Sequence, residues 1–151
     1  MLSKVWQRLR SELNNNEATV SSESAQQQAI AVLLHEVAHA DLHHAQVEID
    51  QLLRELGEAF GLAPAAAEQL RRGAAETAEG TASLHQLIDT LNATLDADGK
   101  RALLARLWRV ALADEVLDPH EEALIRKLSD LLFIPHAVFV QERLRALGEP
   151  L

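Results

Sequence analysis

The sequence predicts an all-α fold, a bundle of seven to eight helices built from two related halves. Three observations carry that prediction. The composition is rich in Ala, Leu, Glu and Gln, has no tyrosine and is only 3% aromatic, which favours helix over strand almost everywhere. Apolar residues recur at three- and four-residue spacing, the mark of helices with one buried face. Two blocks also repeat: "VAHAD" at 37–41 returns as "VALAD" at 110–114, and "LLRELGEAFGLAP" at 52–64 returns as "LIRKLSDLLFIPH" at 124–136, with a one-residue slip between the blocks. Each half therefore reads as a helix, a short acidic loop, a second helix and a third, and the two halves share a core.

The first element is a short amphipathic helix over residues 1–13, where Leu2, Val5, Trp6, Leu9 and Leu13 fall at helical spacing among Lys4, Arg8 and Arg10. Two uses are open to it: docking on the domain or on a second subunit, or weak contact with an anionic membrane surface, since one short basic helix binds lipid only weakly. Residues 14–27 form a polar linker, and 28–151 form the helical domain. Helices are expected at about 24–43, 46–60, 65–79, 83–95, 99–113, 119–132 and 136–146. Local punctuation sets these limits: "FGLAP" closes the second, Gly80 closes the third and "DADGK" reads as a turn. "LDPHEE" opens the sixth, with Asp118 as N-cap, Pro119 at the first helical position and Glu121 placed for a capping box.

A chain of 151 residues buries about two-thirds of its unfolded surface and needs no staple. The absence of cysteine excludes disulfides, thiolate metal sites and cysteine nucleophiles. No stretch approaches the ~20 apolar residues of a membrane span, and the start lacks the apolar run of a signal peptide, so a cytoplasmic protein is expected, with peripheral contact to the inner membrane as an option. The net charge is −9, and the first ten residues are basic, so the rest is more acidic still. Such a body repels nucleic acid and attracts cations or basic partners.

The run "LWRVALADEVLDPHEEALIRKLSDLLFIP", with its weaker counterpart in the first half, resembles the TerB-like family of small helical bacterial proteins named for tellurite resistance, built on V-A-x-A-D-G, a following Glu, and L-G-L. The similarity extends over residues 28–147. The resemblance implies an all-α fold, no established catalytic reaction, acidic residues that bind divalent metal, and association with stress-response and membrane partners in a resistance complex. The chain departs from the pattern where the glycine after the motif aspartate is replaced by Leu42 and Glu115. The glycine before the third helix is kept as Gly61 but replaced by Phe133.

"HEVAH" at 35–39 matches the HExxH signature, in which two histidines four apart offer imidazoles to one zinc and the glutamate between them activates its water. A zinc-dependent hydrolase using His35, Glu36 and His39 is therefore one reading. It lacks a third ligand. The longer motif would place a glycine and a histidine where Leu42 and Ala45 stand, and His43 lies about 12 Å along the helix axis from His35. Glu55 and Glu58 are expected to point away from the Ile49, Leu52, Leu53, Leu56 and Phe60 stripe, and His35 and His39 to lie opposite Ile30, Leu33, Leu34 and Val37. "RALLARLWR" carries a basic stripe read as a solvated or salt-bridged face rather than a binding site.

Helical projection turns attention to Asp41 and Asp114, each expected at the centre of an apolar stripe and near a helix C-terminus, where the macrodipole disfavours a carboxylate. Such acids need partners. One option is structural, through backbone N–H groups or a basic side chain. The other is a hard divalent cation, held by Asp114 with Asp118 and Glu121 and, in the first half, by Asp41 with Glu48. Oxygen ligands suit Mg²⁺ or Ca²⁺, and histidine would shift preference toward Zn²⁺. The leading expectation is a non-enzymatic interaction domain that binds protein partners and a divalent metal. A structural homo-oligomer completed by residues 1–13 is a third reading.

Overall fold

The protein is represented by a computed structural model that describes residues 23–40, 46–80 and 83–149, so the amphipathic segment 1–13 lies outside the described residues. The described chain is all helix and loop. Helix α1 covers 23–38, followed by α2 Gln46–Phe60, α3 Pro64–Glu79, α4 Leu84–Thr94, α5 Ala97–Ala111, α6 Pro119–Leu131 and α7 His136–Ala146. The repeated halves are α1 to α3 and α5 to α7, joined by α4.

Helix α1 is buried along Ala29 to Leu34 and again at Val37 and Ala38, so two of its turns are apolar on every side and it runs through the core. Around it, α5 packs against α2, α6 and α7, α3 packs on α2, and α6 meets α7. Trp108 of α5 and Phe139 of α7, both enclosed, bring their ring centroids to 5.8 Å at 46°. Polar bonds fix the outer helices. Gln28 Nε2 donates to Thr77 Oγ1 at 2.8 Å between α1 and α3, and Asn92 Nδ2 donates to the Leu131 carbonyl at 3.1 Å between α4 and the end of α6.

Two helix ends differ from the sequence reading. Helix α1 gives way to a turn at His39, and α5 ends at Ala111 with Leu112 as its C-cap, so Asp114 lies beyond its helix. The "DADGK" segment is not a turn. Asp96 Oδ1 accepts the Gly99 N–H at 2.7 Å, and this N-cap starts α5 at Ala97.

The repeat is visible in burial. The inward positions of α2 are Glu48, Leu52, Glu55 and Leu56, and those of α6 are Glu121, Ile125, Leu128 and Ser129, at one constant offset. Both helices end in the same paired-bond motif: Leu62 N–H reaches the Gly57 carbonyl at 3.1 Å, and Ile134 N–H reaches Ser129 at 3.0 Å. The left-handed residue of that motif is Gly61 in α2, at φ 63°, and Phe133 in α6, at φ 57°. Between Leu56/Ser129 and Gly61/Phe133 the offset shortens by one residue, which locates the slip seen in the sequence inside the helices.

Candidate functional site

Glu48 and Glu121 are the third residues of α2 and α6, and both are 0% exposed. Each follows one copy of the repeated V-A-x-A-D block by the same distance. A carboxylate enclosed to that degree in a bundle interior is held by donors or by a cation, because an uncompensated charge there would be expensive. Their neighbours Leu52 and Ile125 sit one turn further on the same faces, so the acids belong to the inward face and not to the solvent side.

The other expected ligands are placed differently. Asp41 lies outside the described residues. Asp114 falls in the turn after α5, only half-buried, with Oδ1 accepting the Val116 N–H at 3.1 Å. It is not on the apolar stripe, because the helix whose periodicity put it there stops before it. Asp118 caps α6, accepting the His120 N–H at 2.8 Å and facing its ring Nδ1 at 3.1 Å. Partial burial raises the pKa of Asp118, but the hydrogen bonds from His120 outweigh it, and the net shift is downward. Among the described residues no three His, Asp or Glu side chains gather as a metal-holding group, and Asp114, Asp118 and Glu121 are not brought together as one.

His35 and His39 are half-buried and stacked, with ring centroids 4.0 Å apart at 27°. His39 Nδ1 lies 2.8 Å from the His35 carbonyl, and since a carbonyl only accepts, that nitrogen carries the proton. Glu36 lines a separate cavity of about 200 Å³ with Val32, Ala78, Leu84, Leu87 and Leu124.

One buried acid was misplaced by helical projection. Glu55 is 1% exposed, not outward. Its carboxylate accepts Arg106 Nη1 at 3.0 Å and is also bound by Arg109 Nε, which lies 3.1 Å from Oε2. Glu55 holds the Arg109 guanidinium more firmly protonated than usual. The reason is packing: α2 is covered by α5 as well as by its own half, so a second face of the helix is inside. The signal was present in the sequence, since Glu48, Leu52 and Glu55 share one helical face and Arg106 and Arg109 share another. Glu58 keeps its expected exposure and meets Arg106 at 3.6 Å. Arg101 binds Glu142 of α7 at 2.7 Å, so the basic stripe of α5 is salt-bridged, as expected.

The candidate site is thus a pair of enclosed glutamates at matching places in a two-half helical domain. A family model described as "Tellurite resistance protein TerB" matches residues 27–144. The chain belongs to the TerB family. No curated protein and no solved structure matches it. Among the described residues, no helix is long and apolar enough to cross a membrane.

Proposed function

We propose that this chain is a non-enzymatic domain that binds protein partners in a bacterial tellurite- or metal-resistance or stress system, and that it binds a hard divalent cation through its paired acidic positions. The observation that carries the reading is that Glu48 and Glu121 are both enclosed at the third position of the helix after each V-A-x-A-D block. Carboxylate oxygens suit Mg²⁺ or Ca²⁺. Asp41 would join Glu48, and Asp114 and Asp118 would join Glu121 by exchanging their turn hydrogen bonds for the metal. Participation by His35 or His39 would favour Zn²⁺ instead. Residues 1–13 add weak contact with an anionic inner-membrane surface, placing the resistance complex at the cytoplasmic side.

Calorimetry and NMR titration with Mg²⁺, Ca²⁺ and Zn²⁺ test the cation. The expected outcome is saturable binding that shifts amides near Glu48 and Glu121 and weakens by about tenfold or more in Glu48→Gln with Glu121→Gln, since each carboxylate is a main ligand. Thermal melts of the metal-free variant separate lost ligands from lost fold. Unchanged affinity in a folded double variant sinks the cation reading. Shifts confined to His35 and His39 with Zn²⁺ would move it to the "HEVAH" face.

A further inference from the structure

Helices α2, α6 and α7 end in the same way, with a residue in the left-handed region just before the one whose N–H makes the last bond back, from Leu62, Ile134 and Glu149. In α2 and α7 that residue is Gly61 (φ 63°) and Gly148 (φ 71°), and in α6 it is Phe133 (φ 57°). A side chain in this conformation crowds its own carbonyl, so glycine is the residue the backbone prefers there. The large side chain gains little from the fold in return. Phe133 is 77% exposed, the most exposed large apolar residue among those described. Strain kept at a position where packing does not repay it points to use on the outside.

Phe133 stands over a groove of about 330 Å³ between the start of α5 and the α6–α7 turn. Its floor is apolar, made by Ala97, Ile134, Pro135 and Val138, and its charged lining is Asp98, Lys100 and Arg101, the last already paired with Glu142. The Lys100 ammonium lies 5.9 Å over the Phe133 ring, and among the described residues no ion pair engages it. In a protein of net charge −9, this cation sits beside an exposed aromatic ring and an apolar floor, one turn into α5 beyond the Asp96 cap.

We propose that this groove receives an acidic amphipathic segment of another protein, whose apolar residue fills the floor against Phe133 while a carboxylate meets Lys100. The proposal rests on the reading that the chain works by binding protein partners, and it gives that partner a chemistry.

The test is an NMR titration of the full chain with a synthetic amphipathic helical peptide of leucine and glutamate, alongside a counterpart with lysine in place of each glutamate. The acidic peptide should shift Lys100, Phe133, Ile134 and Val138, and the basic one should not. Phe133→Gly should weaken binding by about tenfold or more, the scale expected for an aromatic anchor, and should raise Tm by removing the strained side chain. Lys100→Glu should weaken acidic-peptide binding at unchanged Tm. Equal binding of both peptides, no binding, shifts on another face, a lowered Tm in Phe133→Gly, or dimerisation through this groove in sedimentation would each overturn the proposal. Binding on another face would leave the partner reading standing, and the Glu48 and Glu121 cation titration is independent of all these outcomes.

Discussion

The two halves place side chains at matching inward positions but fill them differently. Where α2 has Glu48, Leu52, Glu55 and Leu56, α6 has Glu121, Ile125, Leu128 and Ser129. The first position keeps an acid and the second an aliphatic side chain, while the other two change. At the third, the first half buries a carboxylate and neutralises it with Arg106 and Arg109 from α5, while the second half uses leucine. At the fourth, a leucine faces a serine. A helical scaffold can satisfy one buried position with an ion pair or a hydrocarbon, so the third and fourth positions record how each half was packed. The shared acid is the polar position on which both halves agree, and that makes Glu48 and Glu121 the better candidates for a function.

The largest break in this comparison should come from Glu55. Removing its cations in Arg106→Ala with Arg109→Ala leaves a carboxylate 1% exposed, and should lower unfolding free energy by about 3–5 kcal/mol in urea denaturation. Glu55→Leu, which copies the other half, should cost about 1 kcal/mol or less, because the two arginines are 20% and 46% exposed and can turn to water. A Glu55→Leu variant as unstable as the double arginine variant would show that the pair is needed for the fold itself.

The fourth position sharpens the same contrast. Leu56→Ala should cost about 2–4 kcal/mol through a cavity in the shared core. Ser129→Ala should change stability by no more than about 0.5 kcal/mol, since the enclosed Ser129 hydroxyl finds no partner among the described residues and its removal leaves nothing unpaired. Equal costs in the same denaturation series would mean that the halves are not packed equivalently. The smallest effect is expected at the helix ends. Gly61→Ala should cost about 1 kcal/mol from conformation alone, because an added Cβ at Gly61 meets nothing within 4 Å.

Much of this was legible in the sequence, and the misses have a common source. The boundaries of α2, the N-cap at Asp118 and the end of α7 follow from side chains that act within one turn of the backbone they cap, so local letters suffice. The inward placement of Asp114 failed because apolar periodicity was continued past a helix end that the sequence leaves without a breaker: "VALADEV" has neither glycine nor proline. Glu115, in place of the family's glycine, takes φ 65°, so the turn persists without the residue that would have announced it.

The sequence by itself determined the helices, the repeat and the family resemblance, because periodicity and capping are properties of short segments, whereas the enclosure of Glu48 and Glu121 is a matter of packing. Tertiary structure decided which second face of α2 is covered and therefore that Glu55 is inside. It also decided which arginines neutralise Glu55, and that Phe133 stands exposed in a conformation suited to glycine. The placement and pairing of Glu55 depend on a helix arriving from about fifty residues away in the chain, and the spacing of residues within one segment does not specify where that helix lies.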